Sequence, residues 1–451
     1  MAQLSVVKKS ELEGTMRLDA EYYQSKYMDI VAKVKSFPSW CILNDLLVRF
    51  NSGINCPQAE SGSIRFIRTQ HIGEILIDDI ANLTFVRGSL ATGLLLRQGD
   101  LLMGRVGAAG RCAVSGKYYE GHFYSDNILR LRVDGSKLNP FFAAVFLNSR
   151  FGQLQIERVL KGVAQPLISR DNLKSVYVPI PEEKVQEYFE DLVEQAYTLK
   201  FNSQSLYLQA EQLLLDEIGF KDLDLSHQLY YSVSYKKTRE VDRLDAEHFQ
   251  PRYERLIQHL AKTGKHTKLH DILNEPVQKG ITPEYDPDGD IVVVNSQHLG
   301  RYCLNIESTD RTTQVFWQRN RRAQVKPRDI MVYATGAYIG RTNIWPLDYK
   351  AVAGVDILLI RPSEACNPYY LSVYLNSLLG ILQAEKFASG SGQRHIYPDN
   401  ISQFVVHLPS EEFQRHIADL VAQSWEARQK ARQLLEEAKH KVEDLVEGKG
   451  I

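Results

Sequence analysis

The sequence has little of several things that would reveal a chemistry at once. Its five cysteines, Cys41, Cys56, Cys112, Cys303 and Cys366, are scattered, with no C-x-x-C pair and no histidine at ligand spacing. Neither a disulfide framework nor a zinc site is indicated. No apolar run approaches the roughly 20 residues of a membrane span, and Met1 to Ser10 lacks the layout of a signal peptide. The expectation is a cytoplasmic protein. The glycine-rich stretches Gly104–Arg111 and Thr335–Arg341 match neither G-x-G-x-x-G nor G-x-x-x-x-G-K-[ST], so no nucleotide phosphate loop is expected. A basic excess is missing too, since the net charge is −1 over 451 residues.

That balance hides a division. Residues 182–218 carry nine acids against Lys184 and Lys200, and residues 411–447 carry nine acids against six bases. These segments sum to −10, which leaves +9 on the rest of the chain. Acidic segments beside basic ones let the basic part approach phosphates.

The two acidic segments also lack glycine and proline from first heptad to last. In the first, Val185, Leu192, Leu199, Leu206 and Leu213 recur every seventh residue, and Phe189, Ala196, Ser203 and Ala210 fall four later. In the second, Phe413, Leu420, Ala427 and Leu434 hold one set of positions, and Ile417, Ser424, Ala431, Ala438 and Leu445 the other. Such an a/d seam predicts a long helix, roughly 50 Å at about 1.5 Å per residue. Two seams in one chain can bury each other as an antiparallel coiled coil.

The heptad segments close a larger repeat. Arg17-Leu-Asp-Ala-Glu21 returns as Arg243-Leu-Asp-Ala-Glu247, Gln70-His71-Ile-Gly73 as Gln297-His298-Leu-Gly300, and Leu147-Asn-Ser149 as Leu375-Asn-Ser377. The offsets run from 226 to 229 residues, with Asp100 and Gly107 matching Asp329 and Gly336. Within each copy, short β-type runs precede Asn139-Pro140 or Asn367-Pro368, which start helices with an N-cap residue and a proline at the first helical position. The fold class expected is α+β: two mixed α/β domains in tandem, separated by two long antiparallel helices. The boundaries expected are a first domain over 1–181, a heptad helix and linker over 182–226, a second domain over 227–409 and a terminal helix over 410–451.

Catalytic readings are weak. Asn139-Pro-Phe-Phe142 and Asn367-Pro-Tyr-Tyr370 resemble the N-P-P-Y element of adenine methyltransferases, but both lack the second proline and neither follows a cofactor loop. Helix capping accounts for them. In the Arg-Leu-Asp-Ala-Glu segment the charged residues suit salt-bridged structure. Gln70-His71 and Gln297-His298 suit base edges or phosphate, weighed evenly against a structural role. Arg105, Arg111, Tyr338 and Arg341 sit on the glycine-bearing turns. Lys161 with Gln165, Gln393 with Arg394, and Arg319 with Arg321 and Arg322 place cations among amides or aromatics. As a set these residues supply donors for phosphate positioning and base readout.

The ordered elements, each present twice and each copy ending in a heptad helix, resemble the specificity subunit of type I restriction-modification systems. That resemblance implies a non-catalytic subunit whose two target-recognition domains each read one half of a bipartite site in double-stranded DNA. It implies that the helices set the spacer and dock methyltransferase subunits, with restriction subunits joining through the complex. It also implies no cofactor on this chain, with S-adenosylmethionine and ATP on the partners. The alternatives are a fused or accessory methyltransferase or endonuclease, and a coiled-coil scaffold without DNA readout.

Overall fold

A computed structural model describes residues 19–55, 58–59, 64–78, 84–86, 92–105, 109–160, 167–306, 309–390 and 392–450. The chain is mixed α/β and divides into two compact units, Met1–Phe201 with Arg428–Ile451, and Asn202–Ala427. The heptad segments form continuous helices, Glu183–Ile218 and Glu411–Glu447. Each helix is shared between the units, where the sequence had set the helices apart as segments of their own.

In the first unit, strands Leu47–Ser52, Ile128–Val133, Leu101–Gly104 and Cys112–Val114 lie side by side in that order, all antiparallel. A second sheet orders Gln58–Ala59, Thr84–Val86, Arg65–Ile67 and Phe123–Tyr124, the last pair parallel. Leu101, Leu102 and Met103 are all buried, as in a strand covered on both faces. Helix Pro140–Asn148 starts where the Asn139 side chain accepts hydrogen bonds from the backbone of Phe141 at 2.8 Å and Phe142 at 3.4 Å.

In the second unit the antiparallel sheet orders Gln278–Lys279, Ile357–Ile360, Ile330–Tyr333 and Thr342–Ile344. Its companion orders Arg311–Thr312, Ile291–Val294, Ala351–Ala353 and Gln324–Val325, with one parallel pair. Asn367 caps helix Pro368–Asn376 through the backbone of Tyr369 at 2.9 Å and Tyr370 at 3.4 Å. Arg243 pairs with Asp245 at 2.7 Å and donates to the carbonyls of Phe387 and Ala388, so its charge serves structure.

The heptads are deeper on one side than the sequence suggests. Phe189, Ala196, Ser203 and Ala210 are buried, but of the other expected set only Leu192 is; Val185, Leu199, Leu206 and Leu213 are half-buried. Gln186, Val193, Lys200, Tyr207 and Leu214, one residue further on, are buried instead. The helix has a second face pressed on the body of each unit. In the first unit the Tyr197 hydroxyl accepts from Ile77 N at 3.1 Å and donates to the Val114 carbonyl, while Lys200 Nζ donates to the Ile77 carbonyl at 2.7 Å and pairs with Asp78. In the terminal helix Ile417, Leu420, Ser424, Ala431 and Ala438 are buried; Phe413, Ala427, Leu434 and Leu445 are half-buried.

Both central sheets are fed by a turn whose carboxylate is buried. Asp100 accepts from Arg97 N at 2.9 Å and from Arg132 at 2.6 and 2.8 Å; Asp329 accepts from Lys326 N at 2.9 Å and from Arg361 at 2.9 to 3.1 Å. Each turn needs a left-handed residue just before the carboxylate. The first uses Gly99 at φ 81°, whereas the second uses Arg328 at φ 70°. A side chain there is strained. Replacing Arg328 by glycine is expected to stabilise the second unit by about 0.5–1 kcal/mol, a rise of roughly 1–4 °C in Tm. An unchanged or lowered melting temperature would show that Arg328 holds its turn by contacts worth more than the strain.

Candidate nucleic-acid interface

In the second unit the strand Ile291–Val294 runs into a one-turn helix, Ser296–His298. His298 is buried and its Nδ1 accepts from Asn295 N at 2.8 Å. An accepting Nδ1 places the neutral ring's proton on Nε2. The Gln297 carboxamide nitrogen stands 3.4 Å from that Nε2. His71 in the first unit is bound likewise, accepting from Arg68 N at 3.0 Å with Gln70 at 3.3 Å. Neither imidazole reaches a surface; the exposed members of these pairs are Gln70 and Gln297.

The loop after strand Ile330–Tyr333 folds back on itself. Gly340 N donates to the Tyr333 carbonyl at 2.9 Å and Tyr333 N to the Arg341 carbonyl at 2.8 Å. Gly340 needs its glycine twice over: φ is 85°, and a Cβ would stand 2.6 Å from that of Ala384. The result lays the Arg341 guanidinium over the Tyr338 ring at 4.0 Å. Arg341 Nη1 also donates to the Leu299 carbonyl at 3.3 Å, joining this loop to the Gln297–His298 turn. Gly336 N donates to the Arg394 carbonyl at 2.9 Å, and Arg394 Nη2 to the Glu385 carbonyl at 2.8 Å. Gln297, His298, Tyr338, Arg341, Gln393 and Arg394 therefore share one neighbourhood.

Its centre is an open cleft of about 390 Å³ lined by Arg301, Tyr338, Arg341, Arg394, Glu211 and Glu385, among others. Burial pushes the Glu211 carboxyl above its ordinary range, and nearby Arg301 pulls it back. Asn376 fixes the cleft's floor: its Oδ1 accepts from Thr342 N at 3.0 Å and its Nδ2 donates to the Tyr207 hydroxyl at 2.8 Å. Arg319, Arg321 and Arg322 lie elsewhere in the unit, on and after the short helix Gln314–Arg319. All three are exposed and hold no ion pair with a described residue. Trp317 beside them carries Lys350 Nζ at 4.8 Å from its ring.

In the first unit Arg105 and Arg111 flank a hairpin in which Gly104 N donates to the Arg111 carbonyl at 3.2 Å. Ile75 N donates to the Cys112 carbonyl at 3.1 Å, which brings the segment after Gln70-His71 to the same hairpin. Arg105 is half-buried and Arg111 exposed. Burial works to raise Asp78, but Lys200, Arg428 and Arg111 outweigh it and hold its carboxyl below the usual range. Lys161 and Gln165 lie outside the described residues, as does Cys56. Burial pushes the Cys112 and Cys366 thiols up to about 12, so they are inert at neutral pH.

Sequence reasoning missed Arg301, Glu211 and Glu385. Arg301 directly follows the Gln-His-x-Gly turn, a signal that was available. Glu211 stands on the heptad helix, where a carboxylate reads as solvated. Among the described residues no group of side chains could hold a metal ion, and no helix is long and apolar enough to cross a membrane.

Comparison with known proteins bears on these features. A family model described as the type I restriction modification DNA specificity domain matches residues 266–437, a range that contains the Gln297–His298 turn and the loops of Tyr338, Arg341 and Arg394. The segment is therefore a DNA specificity domain, and DNA recognition is its role. The match covers well under half of the chain, and it is for residues 266–437 that this domain is shown. No curated protein matches the sequence. Among solved structures it is similar to the HsdS subunit from Thermoanaerobacter tengcongensis, at 13% identity over 91% of this chain and 97% of that one, with a TM-score of 0.30. The S subunit from M. genitalium matches at 12% identity over 91% and 95%, with a TM-score of 0.41. A chain from a study of complex assembly and conformational transition of the type I R-M system matches at 15% identity over 92% and 97%, with a TM-score of 0.29.

The buried imidazoles give a clear test. His298→Ala should cost about 1–3 kcal/mol, since it strips a partner from Asn295 N, whereas Gln297→Ala should leave the melting temperature within a degree or so of wild type. Equal thermal effects of the two would mean that the histidine does not hold the turn.

Proposed function

We propose that the chain is the non-catalytic DNA-reading subunit of a type I restriction-modification complex, each unit reading one half of a bipartite site in double-stranded DNA. The observation that carries the proposal is the specificity-domain match over the segment that holds the open, arginine-lined cleft. Duplication of one module is supported by the sheets. Both units contain a four-stranded antiparallel sheet with a carboxylate turn before an inner strand, and a second four-stranded sheet with one parallel pair. The helices act as an antiparallel pair that sets the spacer and docks methyltransferase subunits, which bring S-adenosylmethionine. Restriction and translocase subunits join through the complex and bring ATP. Such a complex works in the cytoplasm, where it meets foreign DNA.

The deciding experiment maps adenine methylation by long-read sequencing in cells carrying this chain with its partner subunits. A split motif with two defined halves is expected, and replacing residues 1–181 with the equivalent segment of a relative should change one half only. A continuous motif, or a change in both halves, would end the two-reader account. Methyl transfer or DNA cleavage by the purified chain alone would favour a fused enzyme instead.

The spacer role is tested by length. One heptad inserted near Ser203 and one near Ala431 adds roughly 10 Å at about 1.5 Å per residue. That is about three base pairs at a rise of about 3.4 Å. The methylated motif should lengthen its gap with both halves unchanged, or methylation should be lost because one unit is rotated away. Full methylation at the original spacing would exclude the helices as the ruler.

A further inference from the structure

We propose that Arg341, held over the Tyr338 ring, reads a guanine in the half-site recognised by the second unit. The inference rests on the DNA-reading role proposed above. A guanidinium distinguishes guanine from the other bases by donating two parallel hydrogen bonds to O6 and N7, which requires its plane to be held in one orientation. Contacts on two sides restrain the group. The Tyr338 ring lies 4.0 Å from the guanidinium carbon and the Leu299 carbonyl takes a hydrogen bond from Nη1 at 3.3 Å, while Gly336 and Gly340, both at positive φ, shape the loop that carries them. Tyr338 is itself exposed, so the stacked pair stands at the rim of the cleft and not beneath it.

The surroundings favour a base edge over a phosphate. Glu211 and Glu385 line the same cleft, and a carboxylate there opposes a charged phosphate more than it opposes an uncharged base edge. Glu385 is engaged by Arg252 at 2.9 Å and Glu211 faces Arg301, so both acids are built into the cleft. Phosphates have better positions at Arg319, Arg321 and Arg322, which are exposed and hold no ion pair with a described residue. The cleft would then supply specificity and the outer arginines registration.

The test maps methylation in cells carrying the complete complex with wild-type chain, Arg341→Lys, Arg341→Gln or Tyr338→Ala. The wild-type motif should contain, in one half, a G·C pair at which both Arg341 variants lose preference by roughly five- to hundredfold while every other position holds. Tyr338→Ala should relax the same position by less, and it tests the idea even if the Arg341 variants accumulate poorly. Lysine keeps the charge but loses the planar fork. A phosphate contact would thus be largely rescued by Arg341→Lys, and its loss in Arg341→Gln would fall evenly on all sequences. That pattern, an unchanged motif in all three variants, or relaxation at an A·T pair would overturn the guanine assignment and leave the two-reader function standing. A wild-type chain that directs no split motif would overturn both.

Discussion

A reading loop can be placed on DNA only if the element that sets its position is locked to the body that carries it, and here the lock is a set of buried polar side chains on the long helices. Gln186, Lys200, Ser203, Gln204, Gln414 and Ser424 are buried, and a polar group without a partner in such a place costs about 1–3 kcal/mol. Several partners are backbone groups of the globular bodies. Asn139 N donates to Gln186 Oε1 at 2.6 Å in the first unit, and Asn367 N donates to Gln414 Oε1 at 2.9 Å in the second. Both glutamines also donate to a proline carbonyl just before their own helix, Pro181 at 2.9 Å and Pro409 at 3.1 Å. Sliding either helix by one residue would break these contacts together. An all-apolar seam would not resist such a slip, because hydrophobic burial is non-directional.

The same logic extends from helix to loop. In the second unit Asn376 holds the first residue of strand Thr342–Ile344 by its backbone and the helix residue Tyr207 by its hydroxyl. In the first unit Asn148 Oδ1 accepts from Cys112 N at 3.3 Å and its Nδ2 donates to the Ala144 carbonyl at 2.7 Å. Each asparagine therefore stands at the base of the hairpin that ends in Arg111 or Arg341. The rigid parts of each body, from carboxylate turn through strand to asparagine clamp, are satisfied internally. In the second unit Tyr338 is exposed on its loop, so the residue there can be chosen for what it touches outside the protein.

Much of this frame is legible in the sequence because its signals are local. The asparagine caps, the proline that follows each, the glycine-free heptads and the paired Asp100 and Asp329 turns declare themselves within a few residues. What is hidden depends on partners distant in the chain. The second face of the helix Glu183–Ile218 is written in Gln186, Lys200 and Tyr207, residue types that a hydrophobic period does not count, and their partners lie tens to more than a hundred residues away. By residue type His71 and His298 suit base contact and structure equally, and in the fold both rings are buried and accept a backbone N–H. Each ring lies three residues after the backbone N–H it accepts from, so the turn closes on itself and takes the imidazole out of solvent. The cleft was half legible. Tyr338, Arg341, Gln393 and Arg394 come from loops that chemistry alone nominates, while Glu211 comes from a helix that composition assigns to water.

The two hairpins differ where their frames agree. Arg341 has an aromatic ring beside it and two carboxylates lining the same cleft, whereas Arg111 is exposed and acts with Lys200 and Arg428 on the half-buried Asp78. A guanidinium stacked on a ring is oriented before a ligand arrives and so loses less rotamer freedom on binding. One placed among like charges around a single half-buried carboxylate is oriented by a field, which constrains position more than plane. The first arrangement suits discrimination between base edges, and the second suits attraction of a phosphate, which accepts approach from many directions. The frame fixes where each loop stands, and the few residues around each arginine decide what it can tell apart.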